Sequence, residues 1–325
     1  MEHKKVLVTG IGGNVGQGII RNIRATNFPI EVVGSNVLAF SAGNHLCDKF
    51  YLTPYAFEKN YIDTIIDIVK REKIDLIIPS TDYEVYYLAK FRDQIPCQVA
   101  ASDAETAEIY LDKYKTFLHH KKYGIPFAAA YLPSEYKGEL KEYIVKPREG
   151  RGSRGLYINP EFPDRFTDEY MVQDLYKGSE ITTAFYVNKN NELHGFINLE
   201  RQLDNGATNE CRVDKNHDRK LEEILLKIIN NTKIKGSANL QSIVTADGEI
   251  VPFEVNCRIS GTNSIRSNFG FEDVKYTLEE FLYDIPLSKP QIINGVAVRI
   301  LMDVIYPDQT DKSALTDNSV RSFIY

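Results

Sequence analysis

A short apolar run, KVLV, ends at Thr9-Gly10, and an amphipathic stretch, VGQGIIRNIRA, begins a few residues later. The glycines between them follow a Thr-Gly-x-x-Gly-x-x-Gly spacing, with Gly10, Gly13 and Gly16 at the fixed positions. Missing Cβ atoms let a strand turn sharply into a helix and let that helix pack closely on the strand it leaves. The same rhythm then repeats: EVVGSN, KFYLTP, NYIDTIIDIVKREK, DLIIPST, YEVYYLAKFRDQ and QVAAS alternate β-branched runs with helical stretches. Repeated strand, turn and helix imply a parallel sheet with helices on both faces.

The Gly-rich turn also fits dinucleotide binding, in which backbone amides at a helix N-terminus meet a pyrophosphate. Against that, the second strand ends in VVGSN, without the Asp or Glu that accepts a ribose 2′-hydroxyl; Ser35 and Asn36 are weak substitutes. A Tyr-x-x-x-Lys pair of the reductase type exists at Tyr86 and Lys90, but a chain with 20 tyrosines yields about one such pair by chance. The turn therefore reads first as packing geometry, with an NAD-dependent reductase or epimerase as the rival.

With 325 residues, 43% of them hydrophobic, the chain can bury the cores of two or three domains. A formal charge of −6 argues against general nucleic-acid binding, which needs surplus Lys and Arg. The apolar run after Lys4 and Lys5 is too short for a signal peptide or a membrane span, so a cytoplasmic protein with no membrane partner is expected. Cys47, Cys97, Cys211 and Cys257 lie far apart and form no CxxC, which predicts reduced thiols rather than disulfides or a zinc site.

From Glu105 the pattern changes. AETAEIYLDKYKTFLHHKKYG predicts one helix, closed by Gly124 and Pro126. YMVQDLYKGSEITTAFYVN and ELHGFINLERQ alternate like antiparallel strands with one wet face, and RKLEEILLKIINNT is helical. The runs flanking Asp247-Gly248 predict a hairpin with a two-residue turn. A last strand-like run, GVAVRILMDVIY, precedes a polar end. The fold class is thus α/β in the first part and α+β in the second.

Four clusters in this second part suit a triphosphate and hard cations. In YIVKPREGRGSRG, Lys146 at a strand end can reach an α-phosphate or an adenine edge, while Gly150, Gly152, Ser153 and Gly155 offer backbone amides to the outer phosphates. Read alone, this is a flexible loop with solvated arginines. In VQDLYKGSE, the backbone of Gln173, Asp174 and Leu175 can face adenine and Glu180 can accept both ribose hydroxyls, although a Glu after a Gly is commonly a turn residue. In ANLQSIVTADGEIVPFEVNCR, residues two apart share a strand face, so Glu254 and Asn256 point together with Arg258 beyond, and Asn239 and Gln241 occupy the paired strand. One carboxylate with carboxamide oxygens suits Mg²⁺, which completes its shell with phosphate and water; the alternative is an edge strand with a wet polar side. Lys113 can steady a phosphate from a helix start or simply be solvated.

In this order, DKYKTFLHHKKYGIP, YIVKPREGRGSRG, VQDLYKGSE, and NLQ followed by EVNCR stand behind GIGGNVGQG and IIPSTDYE. The set resembles the ATP-grasp ligases, most closely the carbamoyl-phosphate synthase large-chain branch. The resemblance implies a Rossmann-like pre-ATP-grasp domain over 1–110 and a two-lobed ATP-grasp domain over 111–290, its small lobe 111–172 and its large lobe 173–290. A C-terminal strand and tail would follow over 291–325. The resemblance further implies ATP with Mg²⁺, or Mn²⁺ in its place. Lys113 and Lys146 look like the ATP lysines, Gly150 to Gly155 like the phosphate-covering loop, and Gln173, Asp174 and Leu175 like the adenine hinge. Glu180 is similar to the ribose ligand, Gln241, Glu254 and Asn256 to the metal-holding trio, and Arg258 to the arginine that faces the transferred phosphoryl group.

The implied activity is a carboxylate-amine, or carboxylate-thiol, ligation through an acyl phosphate on small-molecule substrates, with a homodimer as the common arrangement. On that reading Arg201, after the second antiparallel run, can hold a phosphate or the substrate carboxylate or sit exposed at a strand end, and Arg151 and Arg154 add charge over the triphosphate. Two departures stand out. Cys257 occupies the place where relatives often have Pro in EVNPR, and only one ATP-grasp unit is present, without a glutaminase-like segment, so a complete carbamoyl-phosphate synthase is not expected. A nucleotide-binding regulatory module without ligase activity is a third reading.

Overall fold

A computed structural model of the chain describes residues 1–150, 154–315 and 320–325. Strands Lys4–Val8 (β1), Ile30–Asn36 (β2), Lys49–Leu52 (β3), Leu76–Ile78 (β4) and Gln98–Val99 (β5) form a parallel sheet in the order β3-β2-β1-β4-β5. Helices Asn14–Ala25 (α1), Tyr61–Glu72 (α2) and Asp82–Lys90 (α3) connect the strands. Alternation along β1 explains the two-sided cover: Val6 and Val8 pack with Ile19, Ile20 and Ile23 of α1, whereas Leu7 joins Ile65 of α2 and Leu88 of α3. Burying one such side chain contributes about 1.5–3 kcal/mol.

Strand order reverses between β1 and β4, so the Gly-rich turn and the start of α3 lie side by side at the carboxyl edge of the sheet. There the Thr9 amide donates to the Ile78 carbonyl at 3.2 Å and Ser80 Oγ donates to the Gly10 carbonyl at 3.3 Å. Protein atoms make the close approaches that the glycines permit. A Cβ on Gly12 would lie 2.9 Å from the Asn36 carboxamide, and one on Gly43 would lie 1.8 Å from the Ile11 carbonyl oxygen. The Tyr86–Lys90 pair lies elsewhere, on α3, with its polar atoms 3.5 Å apart and Lys90 exposed.

The stretch expected as a single helix breaks at Asp112 into Ala104–Leu111 (α4) and Lys113–Lys122 (α5). Asp112 takes an extended conformation, φ −100° and ψ 111°, because its carboxylate caps α5 by accepting from the Tyr114 and Lys115 amides. The same carboxylate accepts from Arg148 Nε at 3.1 Å. Apolar periodicity alone misses this break, which is set by a polar cap and reinforced by an arginine remote in sequence.

Strands Ala130–Tyr131 (β6), Tyr143–Pro147 (β7), Tyr157–Ile158 (β8) and Tyr170–Asp174 (β9) form an antiparallel sheet ordered β6-β9-β7-β8. A second antiparallel sheet, ordered β14-β13-β10-β11-β12-β15, contains Ser179–Val187 (β10), Leu193–Asp204 (β11), Ala207–Asp214 (β12), Gly236–Val244 (β13), Ile250–Asn256 (β14) and Val296–Val298 (β15). Helix Asp218–Asn230 (α6) covers one face with Leu221, Leu225 and Ile228. Short helices Asn263–Arg266 (α7) and Asp273–Thr277 (α8) pack against α1. Val304–Ile305 (β16) pairs with Phe323–Ile324 (β17).

Three local expectations change. Strand β12 was not anticipated, although Asn205-Gly206, with φ of 48° and 75°, is a hairpin signal that precedes it. The turn at Asp247-Gly248 spans three residues, with the Thr245 amide donating to Glu249 O at 3.0 Å and Gly248 at φ 80°. The run GVAVRILMDVIY is not one strand: its pairing with β12 extends only from Val296 opposite Arg212 to Val298 opposite Glu210, running toward the hairpin from which β12 starts. Among the described residues no helix is long and apolar enough to cross a membrane.

One hydrophobic cluster runs from Leu7 and Ile77 of the parallel sheet, through Ala107 and Tyr110 of α4, to Phe185, Leu240 and Val255 of the second antiparallel sheet. This continuity fixes how the two parts of the chain meet. Gly43→Ala should destabilise the fold by about 1–3 kcal/mol through overpacking against Ile11, read as a lowered urea midpoint; an unchanged midpoint would mean that the turn has room to spare.

Candidate active site

A cavity of about 280 Å³ lies between the four-stranded sheet and the β10-β13-β14 end of the larger one. β7 delivers Ile144 and Lys146 to its wall, two residues apart and therefore on one face. β13 delivers Gln241 and Ile243 in the same way. β14 departs from simple alternation. Gln241 pairs with Glu254 but Ser242 pairs with Pro252, which leaves Phe253 as the extra residue of a bulge. Phe253 and Glu254, though consecutive, consequently both line the cavity.

The charged end is built from Lys113, Lys146 and Glu254. Lys113, first residue of α5, donates to the Gly150 carbonyl at 3.1 Å and lies 4.0 Å from Glu254 Oε1. Lys146 is only 6% exposed, and among the described residues its ammonium has no hydrogen-bond acceptor; it lies 5.5 Å from the centre of the Phe253 ring. Burial is the main reason its pKa falls from 10.5 to about 8, with Lys113 pushing the same way and Glu254 opposing. Burial pushes Glu254 upward, but Lys113, Lys146 and Arg258, together with the Asn256 hydrogen bond, outweigh it and hold the carboxyl below its ordinary range.

Asn256 and Arg258 continue the arrangement behind the cavity wall. Asn256 Nδ2 donates to Glu254 Oε1 at 3.3 Å, and Asn256 Oδ1 accepts from Arg258 Nη2 at 3.0 Å. Arg258 Nη2 also donates to Asp82 Oδ2 at 2.8 Å, which ties the hairpin to the first residue of α3. Burial lowers the Arg258 pKa, yet the charges of Asp82 and Glu254 more than restore it. Arg201 is no exposed strand-end residue: it lies within β11, largely buried, because β11 continues to Asp204. Its guanidinium donates to Glu180 Oε1 at 3.0 Å and to Gln241 Oε1 at 2.8 Å, so one arginine engages two of the other candidates.

Glu180, Asp174 and Leu175 line the cavity, as does Gln173, whose buried amide donates to the Phe253 carbonyl at 3.4 Å. The backbone N–H groups of Asp174 and Leu175 are engaged by Ala129 O at 2.9 Å and Glu142 O at 3.1 Å. Gly150 and Arg154 reach the wall, whereas Gly155, at φ 68°, packs toward Pro147 instead. Gly152 and Ser153, with Arg151, lie outside the described residues. The sequence reading overlooked the apolar wall of Ile144, Leu156, Leu203, Ile243, Val251 and Phe253. Strand alternation from Lys146 and Gln241 points to Ile144 and Ile243; nothing in the sequence announces the bulge that exposes Phe253.

Residues 110–262 match the ATP-grasp domain family, and residues 6–99 match the PylC-like N-terminal domain family. The chain carries an ATP-grasp domain. Neither matched description names the carbamoyl-phosphate synthase branch that the motif order resembles. An N5-carboxyaminoimidazole synthetase from Staphylococcus aureus, solved with ADP, superposes with a TM-score of 0.75 at 12% identity over 93% of this chain and 83% of that one. A biotin carboxylase–β-γ-ATP complex from Campylobacter jejuni gives 0.69 at 14% identity over 91% and 74%. An L-amino acid ligase from Bacillus licheniformis gives 0.68 at 13% over 87% and 75%. At these identities the likeness is one of fold. No curated protein matches this chain by sequence.

A lysine whose pKa is lowered mainly by burial costs stability while it is charged. Lys146→Met should therefore stabilise the protein at pH 7 by about 1–3 kcal/mol. The gain should be full below about 8, the folded-state pKa of Lys146, and disappear as pH approaches 10.5, the ordinary lysine value. Urea unfolding of both proteins across this range checks the sign.

Proposed function

We propose that the protein is an ATP-dependent carboxylate-amine ligase that activates a small-molecule carboxylate as its acyl phosphate. The observation that carries this reading is Lys146, a largely buried lysine that lines the cavity with no hydrogen-bond acceptor for its ammonium among the described residues, beside Glu254, whose carboxyl is held below its ordinary range. Such a cation calls for an anionic ligand, and a polyphosphate supplies one. The apolar wall of Ile144, Val251 and Phe253 suits a purine, and Glu180 suits its ribose hydroxyls. With the Asp174 and Leu175 amides engaged, the base would be met by hinge carbonyls and the Tyr176 end of the segment.

Metal binding fits the same donors. Among the described residues no group of three or more His, Cys, Asp or Glu side chains is arranged to hold a metal. One carboxylate, Glu254, with the carboxamides of Gln241 and Asn256 is the sparse oxygen set that Mg²⁺ supplements with phosphate and water. Mg²⁺ bound there would offset charge on the β- and γ-phosphates. Arg201 and Arg258 now occupy the Gln241 and Asn256 oxygens, so these contacts must be shared or released.

In the proposed reaction a carboxylate oxygen attacks the γ-phosphorus and ADP leaves; an amine nitrogen then attacks the acyl carbon, phosphate departs and the nitrogen loses a proton. Lys113 and Lys146 neutralise the polyphosphate, and Arg258, oriented by Asp82, offsets charge on the transferred group. None of these side chains forms a covalent bond.

Glu254→Gln should lower Mg²⁺-dependent ADP release by about 10²–10³-fold, measured across pooled carboxylic acids and amines; undiminished release would exclude Glu254 from the chemistry. ATP affinity should also weaken above pH 8 or so, by at most about tenfold per pH unit, as Lys146 loses its proton. Lys146→Gln should flatten that profile, as followed by nucleotide titration calorimetry.

A further inference from the structure

Two aromatic rings of the first part of the chain stand outside the nucleotide cavity. Tyr55 and Phe57, on the loop after β3, are 45% and 57% exposed, yet stack face to face with centroids 5.4 Å apart and planes 5° from parallel. Phe57 meets the Tyr83 ring edge-on at 5.9 Å. Tyr83 follows Asp82, the residue that holds Arg258. The rings therefore pack at the start of α3, the helix whose first residue holds Arg258. Leu52, 54% exposed, and Leu38, 55% exposed, leave the carboxyl ends of β3 and β2, the edge at which parallel sheets bind ligands. Single exposed apolar side chains are ordinary on a protein surface; an ordered, half-exposed stack at the carboxyl edge of a parallel sheet offers a ring face to a planar group.

We propose that the carboxylate substrate carries an aromatic ring, as an aromatic amino acid or aryl-substituted acid does, and that the ring packs on Tyr55 and Phe57 while its carboxylate reaches Arg258. This rests on the ligase reading above and names the substrate class it leaves open. The Glu58 carboxylate accepts from the Tyr55 amide at 3.1 Å, and the stack itself offers ring faces. Ring stacking adds binding beyond the area it buries, so losing one platform ring should weaken binding about tenfold.

Hydroxylamine makes the test independent of the natural amine. ATP and the acid give ADP and an acyl phosphate, and hydroxylamine displaces phosphate to leave a hydroxamate. The panel is L-phenylalanine, L-tyrosine and 3-phenylpropionate against L-alanine, L-glutamate and succinate, each with Mg²⁺ and the full chain. The expected result is hydroxamate from ring-bearing acids, with Phe57→Ala and Tyr55→Ala each raising KM for the acid about tenfold and leaving KM for ATP in place. Phe57→Leu, which keeps apolar bulk and loses the ring, should behave like Phe57→Ala, and thermal melts report whether each variant stays folded. Hydroxamate only from acids without a ring, or an acid KM unmoved in all three variants, overturns the shelf and leaves the ligase reading standing. Absence of both ADP and hydroxamate with every acid removes the ligase reading, and the shelf proposal with it.

Discussion

A single carboxylate, Glu254, sits among three cations, Lys113, Lys146 and Arg258, and much of the architecture serves to keep it ionised there. Burial alone would push its pKa up. The lysines reach it from different elements, Lys113 from the start of α5 and Lys146 from β7, so the four-stranded sheet and the hairpin must meet at one angle for the charges to converge. The result is an imbalance: more positive charge than the protein itself neutralises, with Lys146 lacking an acceptor among the described residues. A site in that state is prepared for an anion.

Arg258 extends this network across the molecule. Its bond to Asp82 joins the EVNCR strand to α3, whose own start is held by the capping box of Thr81 and Glu84. The hydrophobic cluster that passes from the parallel sheet through α4 into the larger antiparallel sheet keeps the two parts in register. Asp112 does the corresponding work for the smaller sheet: it caps α5, aims Lys113, and through Arg148 anchors the end of β7. Polar contacts set orientation here, while apolar burial supplies most of the cohesion.

The Gly-rich turn is instructive because its spacing suits two different duties. In this fold its glycines accommodate Asn36, Ser80 and the backbone around Gly43, and the turn helps to shape the carboxyl edge that faces Arg258. A motif defined by absent side chains records only that something comes close. Whether that is a phosphate or another part of the protein depends on residues outside the motif, here the loop after β2 and the start of α3.

The alternation of strands and helices over the first part was legible in the sequence because local periodicity encodes face and element type, whereas grouping Lys113, Lys146, Gln241 and Glu254 into one site came from the order of motifs that resembles the ATP-grasp ligases. Four of the proposed groups, Asn256, Arg258, Arg201 and Gly155, do not line the cavity; Asn256 and Arg258 stand behind Glu254, and Arg201 braces Glu180 and Gln241. The break at Asp112, the bulge at Phe253, the Arg258–Asp82 bond and the stacked rings of Tyr55 and Phe57 could be decided only by tertiary structure. The bulge and the Arg258–Asp82 bond depend on partners far apart in the chain, and the Asp112 cap and the Tyr55–Phe57 stack, though local, meet remote Arg148 and Tyr83; local propensity carries no information about which distant side chain will arrive.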